Sequence, residues 1–192
     1  MQVIEFIRQQ FMESGHVAYG ETLSMGEHMM QAAFIAEQTG CHKELVVAAF
    51  LHDFGYLILG LPEESTESGI DGFHEDIGEQ CLKGYFPPLI TDCIRLHVQA
   101  KRYLCTVESH YFDQLSKASR RSLAVQGGLM NHTELCAFEA EPHYREAIQI
   151  RQYDDKGKQP YLNHPDLDYY LKLTASCLIR TEMTRSRHIE VA

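Results

Sequence analysis

The 192-residue chain has no tryptophan, no C-x-x-C pair and no long hydrophobic run, and it is poor in basic residues through its first half. Each shortage excludes something. The six cysteines (41, 81, 93, 105, 136, 177) are scattered, so they read as reduced thiols and neither as a disulfide framework nor as zinc ligands. The longest apolar stretches, Leu45–Leu51 and Tyr56–Leu61, fall far short of the ~20 residues that span a bilayer, and no membrane partner is expected. The opening MQVIEFIRQQ carries an acid and lacks the basic-then-apolar build of a secretory signal, which leads us to expect a cytoplasmic protein. Residues 1–96 hold 4 Lys and Arg against 15 Asp and Glu, and the whole chain carries a net charge of −10. A phosphate backbone needs a basic surface, so nucleic acid is excluded as a partner.

Runs of alternating β-branched residues between Asn-Gly or Asp-Gly turns are missing too. Helical signals take their place. Val3, Phe6, Ile7 and Phe11 form one face ending at Gly15, and Ser24 with Glu27 makes a capping box before a run that stops at Gly40. Further helices are expected over 44–54, 73–84, 89–104, 111–115, 118–125, 134–154 (with a break at Pro142) and 166–180. Gly55 is expected to turn the chain away, into a loop over 57–72. With 44% apolar residues the chain can bury a core, and its length suits one domain. The expectation is an all-α single domain over 1–182, with 183–192 frayed.

Eleven histidines carry the chemistry. Leu45, Ala48 and His52 share a helical face, which brings His52 to the end of a buried helix with Asp53 directly after it. His28 lies on the preceding helix in line with Ala32 and Ile35, and a short connection makes the two helices antiparallel neighbours. His74 opens a later helix, and His97 lies within the next. Taken singly, each is a satisfied or surface histidine. Taken together, four imidazoles and a carboxylate turned toward one core need a common partner, and a metal accepts them all. Such donors, without thiolate, suit iron, manganese or catalytic zinc.

The pattern His28 … His52-Asp53 … His74 … His97 … Asp154 resembles the HD-domain metallohydrolase superfamily, a helical bundle named for its His-Asp doublet. Three segments are more specific: 97–103 (HVQAKRY), 116–128 (SKASRRSLAVQGG) and 150–159 (IRQYDDKGKQ). They closely resemble the phosphonate-cleaving HD-domain di-iron oxygenases, the PhnZ-like family, and the resemblance runs from about residue 20 to 159. It implies that one iron is held by His28, His52, Asp53 and Asp154 and the other by Asp53, His74 and His97. Asp53 then bridges a mixed-valent Fe(II)/Fe(III) pair that uses O2 as co-substrate. The di-iron centre itself is the catalytic group, and no separate acid or base is assigned.

The same resemblance implies that Lys101, Ser119, Gln126 and Arg151 grip a phosphonate. Lys101 follows His97 by four residues and Arg151 precedes Asp154 by three, so each cation stands one helical turn from a ligand. A point charge, a guanidinium fork and neutral donors are what a dianion requires. In the relatives, a glutamate matching Glu21 holds the cationic end of the substrate and a tyrosine covers the open iron; here Tyr19 stands one residue nearer His28 than that pattern. Tyr56 replaces a histidine of the family, and two readings stand. Either Tyr19, Tyr56 and Phe54 form an aromatic cage for a methylated ammonium, or Tyr56 simply packs and leaves specificity unchanged. The implied reaction is O2-dependent C–P cleavage of a small zwitterion, 1-hydroxy-2-amino- or 1-hydroxy-2-(trimethylammonio)ethylphosphonate, to phosphate and glycine or glycine betaine. A separate oxygenase that supplies the hydroxylated phosphonate is a compatible partner. The alternative is an HD-domain phosphohydrolase acting on a phosphate monoester or nucleotide through metal-activated water, and a third reading is a metal-stabilised module without turnover.

Overall fold

The computed structural model describes residues 2–19, 23–60 and 72–179, and they form an all-α helical bundle. The first helix, α1 (Gln2–Ser14), buries Val3, Ile7 and Phe11. Two short strands that no sequence pattern foretold, β1 (Ala18–Tyr19) and β2 (Leu23–Ser24), pair antiparallel with Tyr19 opposite Leu23. Ser24 then caps α2 (Met25–Gln38): its hydroxyl accepts from the Glu27 amide at 3.3 Å, and the Glu27 carboxylate accepts from the Ser24 amide at 2.9 Å. A connection through Gly40, with φ 71°, leads into α3 (Lys43–Leu51), which packs on α2. Every residue of α3 from Leu45 to Leu51 is buried, as a helix that is apolar all round requires. Phe50 stacks between Phe11 at 4.7 Å and Tyr170 at 5.3 Å.

The turn expected at Gly55 comes earlier. α3 stops at Leu51, the backbone bends through His52 and Asp53, and α4 (Phe54–Leu59) starts at once, ending at the left-handed Gly60 with φ 61°. Asp53 occupies the N-cap position of α4, yet its carboxylate makes no cap bond. A residue type favoured for capping has been turned to another task. Gly55 serves close packing, because a Cβ there would lie 1.9 Å from the carbonyl oxygen of His74. The expected loop over 57–72 therefore begins no earlier than Gly60, and residues 61–71 lie outside the described part.

After α5 (His74–Leu82), Pro88 opens α6 (Pro88–Val107), where a missing amide hydrogen costs nothing. α7 (Tyr111–Gln114), α8 (Lys117–Val125), α9 (His132–Glu139), α10 (Tyr144–Lys156) and α11 (Leu167–Ala175) follow. The 20-residue α6 packs against α3, α5 and α10. The main core joins residues of α1 to α6, α10 and α11, and two smaller clusters involve the second half of α6. The six cysteines are free thiols. No described helix is long and apolar enough to cross a membrane. The end expected to fray, 183–192, lies outside the described residues.

Candidate metal centre

The helices converge on four histidines and two aspartates. His28 comes from α2, His52 and Asp53 from the bend between α3 and α4, His74 from the first position of α5, His97 from α6 and Asp154 from the last turn of α10. All six are buried. They sort into two groups able to hold a metal, His28–His52–Asp154 and Asp53–His74–His97. Asp53 joins the groups. Its Oδ2 lies 3.2 Å from His52 Nε2 and 3.5 Å from His28 Nε2, while its Oδ1 lies 3.3 Å from His74 Nε2 and 3.4 Å from His97 Nε2. One carboxylate with an oxygen toward each group has the disposition of a bridging ligand.

The far ring nitrogens orient the imidazoles. Nδ1 of His28, His52 and His97 lies 2.9, 2.7 and 2.7 Å from the carbonyl oxygens of Gly157, Ala49 and Ile94, so each carries a proton there and donates it. His74 Nδ1 lies 3.2 Å from the Glu75 carboxylate. A proton on Nδ1 leaves Nε2 as the acceptor. The Nε2 atoms face one another in pairs, His28 with His52 at 3.2 Å and His74 with His97 at 3.1 Å. In the metal-free protein Nε2 atoms that close, beside two carboxylates, share protons, and metal cations would take the place of those protons. The donor set fits two metal ions of the iron, manganese or catalytic zinc kind.

The surroundings polarise these groups unequally. Burial alone would raise the Asp53 carboxyl, but the charge of His52 and hydrogen bonds from His28, His52 and His74 hold it well below the usual carboxylate range. Asp154 is likewise held down, against burial, by Arg151 and Lys158. Burial disfavours a charged His28, yet Asp154 and Asp53 lift it to about 9. His97 goes the other way, to about 4, because burial and the charge of His74 outweigh the pull of Asp53.

A cleft enclosing about 290 Å³, part of it open to solvent, reaches the centre and exposes Asp53, His74, His97 and Asp154 on its lining. Lys101, Ser119, Gln126 and Arg151 line the same cleft, so the four residues implicated in anion binding come together. Lys101 Nζ donates to Ser122 Oγ at 2.8 Å, and Gln126 Oε1 is buried without a hydrogen bond among the described residues. Arg151 donates to the Asp154 and Asp155 carboxylates and, at 3.0 Å, to the Tyr111 hydroxyl. Tyr19 stacks on the His28 ring at 3.9 Å and Tyr56 on the His74 ring at 4.0 Å, so each phenol covers one imidazole of a different group. Phe54 does not join them. It is fully buried in the main core, edge-on to Phe6 at 6.0 Å, because residues two apart on a helix face opposite ways. The three-ring cage thus reduces to two tyrosines. Glu21 lies outside the described residues.

Other residues at the site escaped the sequence reasoning. Lys158 Nζ lies 3.1 Å from Asp154 Oδ1, 3.3 Å from Ser119 Oγ and 5.4 Å from the centre of the Tyr19 ring. It follows Asp154 by four residues, but α10 ends at Lys156, so helical spacing could not place it. Ser122 stands one turn beyond Ser119 on α8, so the one-turn spacing that singled out Lys101 would have found it. Tyr111 gave no signal.

Over 165 residues, 85% of this chain and 84% of the relative, the sequence is 42% identical to the [1-hydroxy-2-(trimethylamino)ethyl]phosphonate dioxygenase (glycine-betaine-forming) of Leisingera caerulea. The chain belongs to the PhnZ-like phosphonate dioxygenase family. A hydroxymethylphosphonate dioxygenase of Gimesia maris, another relative, is 40% identical over 86% of this chain and 83% of its own length. An uncharacterised protein of Acanthamoeba polyphaga mimivirus is 38% identical over 86% of this chain and 75% of its own. No family model matches the chain. Within the phosphonate dioxygenases, the HD-type ligand pattern and the buried His/Asp groups of this chain fit a two-metal site.

Proposed function

We propose that this protein is a di-iron oxygenase that uses O2 to cleave the carbon–phosphorus bond of a small 1-hydroxyphosphonate. The substrate is 1-hydroxy-2-amino- or 1-hydroxy-2-(trimethylammonio)ethylphosphonate, and the products are phosphate and glycine or glycine betaine. The observation that carries this reading is a single cleft lined both by metal-ligand residues and by Lys101, Ser119, Gln126 and Arg151. The dioxygenase names of the two bacterial relatives support the same chemistry. In balance, the C–P bond and the C–H bond of the hydroxylated carbon both break, one atom of O2 ends in a new C–O bond of the carboxylate and the other in a new P–O bond, the hydrogen leaves as a proton, and no net reductant is consumed.

In this reading His28, His52, Asp53 and Asp154 hold one iron, and Asp53, His74 and His97 hold the other. The bound pair would supply O2 activation and oxidation of the carbon that bears phosphorus. The chain itself does the positioning. Lys101 and Arg151 neutralise the phosphonate, while the Ser119 hydroxyl and the Gln126 amide add neutral hydrogen bonds with a fixed direction. Their burial makes these contacts stronger than they would be in water. Tyr19 and Tyr56 shield His28 and His74 from water; the Tyr19 ring lies between His28 and the Lys158 ammonium, so the Tyr56 ring beside the cleft is the one that favours the trimethylammonio substrate over the primary amine. A cytoplasmic location and a separate oxygenase that hydroxylates the phosphonate first are part of the same proposal.

The test is to incubate iron-loaded protein with both hydroxyphosphonates, with and without O2, and to assay phosphate, glycine and glycine betaine. We expect phosphate and the matching amino acid only with O2. Phosphate released at an equal rate without O2 would overturn the oxygenase reading in favour of a hydrolase.

A further inference from the structure

Arg151 lines the cleft and donates to Asp154, so the direction of its guanidinium matters both to that carboxylate and to whatever anion enters the cleft. Of its five N–H groups, three are committed within the protein. Nη1 donates to Asp154, Nη2 donates to Asp155 Oδ1, and Nε donates to the Tyr111 hydroxyl at 3.0 Å. The Tyr111 hydroxyl in turn donates to Asp155 Oδ2. The phenol accepts from the guanidinium and passes its own proton to the carboxylate that the guanidinium also holds, so the three side chains close a ring of hydrogen bonds. Burial keeps the Tyr111 phenol protonated far above the usual tyrosine range, which preserves its donor role.

Neither Tyr111 nor Asp155 lines the cleft, although Arg151 does. Tyr111 is packed with Leu104, Leu115 and Leu123, a cluster separate from the main core, so its hydroxyl is held by a firm support. An aspartate placed close to an anion site weakens that site by charge alone. Its presence makes sense if it sets the arginine. We propose that Tyr111 and Asp155 are positioning residues that lock the plane of Arg151, leaving one N–H on each terminal nitrogen to form a fork toward the substrate's anionic group. The identity of that anion as a phosphonate rests on the function proposed above. A fork already held in place loses less freedom on binding than a mobile one, so the effect belongs mainly to affinity.

The experiment compares iron-loaded wild type with Tyr111→Phe and Asp155→Asn. Ethylphosphonate, which has no hydroxyl at the reacting carbon, serves as the binding probe by calorimetry; kcat, KM and iron per chain are measured alongside. We expect both variants to bind ethylphosphonate roughly tenfold more weakly, with KM rising in step and kcat changing less, as loss of one charge-assisted hydrogen bond implies. Iron content should stay at the wild-type level. In an Arg151→Lys background, which has no fork to orient, Tyr111→Phe should add little. Wild-type affinity in both single variants, or full additivity with Arg151→Lys, would overturn the proposal. So would loss of iron with anion affinity intact, since Tyr111 would then serve Asp154. If wild type binds ethylphosphonate but releases no phosphate from hydroxyphosphonates, the proposed reaction fails, while the affinity comparison still decides the role of Tyr111.

Discussion

Gly55 allows a prediction whose size follows from the geometry. It sets the first turn of α4 directly against the first residue of α5, and a Cβ at this position would lie 1.9 Å from the His74 carbonyl oxygen, 2.6 Å from its carbonyl carbon and 2.9 Å from its Cα. All three are backbone atoms, so no rotamer change relieves the overlap, and the two helices must part by more than an ångström. His74 Nε2 faces Asp53 Oδ1 at 3.3 Å, and metal–ligand distances tolerate only about 0.2 Å. Gly55→Ala should therefore cost about 3 kcal/mol, the upper part of the overpacking range. It should also weaken the metal held by Asp53, His74 and His97 by on the order of 100-fold, while the metal at His28, His52 and Asp154 is better retained. Gly72→Ala is the control, because its Cβ would meet only the Leu59 Cδ1 methyl, in ordinary contact at 3.5 Å. Metal per chain by elemental analysis, a calorimetric metal titration and the thermal midpoint read the result. A Gly55→Ala protein with two metals at wild-type affinity would refute the claim that the α4–α5 contact sets the centre.

Other outcomes follow from the same geometry. Asp53→Asn removes the charge that faces all four Nε2 atoms, so both metals should weaken together by on the order of 100-fold; loss of a single metal in elemental analysis would contradict a shared ligand. In chelator-treated protein, His28 keeps its proton up to about pH 9, so metal affinity should climb as pH rises toward 9 and then level off, with a proton released on binding; titrations in buffers of different ionisation enthalpy count it. By the same shift, the contribution of His28 to the stability of chelator-treated protein is fully present below its ordinary value of about 6.5 and is lost as pH rises through about 9, which denaturant midpoints against pH would show. Lys101→Gln removes a buried cation from the cleft and should raise KM for the hydroxyphosphonate roughly tenfold or more; an unchanged KM would place the anion elsewhere.

Local rules made much of this molecule legible, and they failed where a long-range contact took over. The Ser24–Glu27 capping box, the buried face through Leu45, Ala48 and His52, and the one-turn spacing of Lys101 from His97 all depend on neighbours within a turn, and all are present. The bend at His52–Asp53 was misplaced because Gly55 looked like a turn residue. Its real constraint is the His74 backbone, nineteen positions away in sequence and invisible to local pattern. Phe54 was expected to end the helix that brings His52 to the site, whereas α4 begins there and turns it into the core. Tyr111 reaches Arg151 only through tertiary packing, so no spacing rule could have flagged it. Lys158 likewise reaches the centre from beyond the end of α10, where one-turn spacing no longer applies.

His28 Nδ1 donates to the carbonyl of Gly157, and a Cβ on Gly157 would lie 2.9 Å from the amide nitrogen of Ala32. The helix that carries His28 is thus closed by backbone from a distant part of the sequence. Removing the segment that carries Asp154 and Gly157 would therefore take away one ligand and, with it, the carbonyl that orients another.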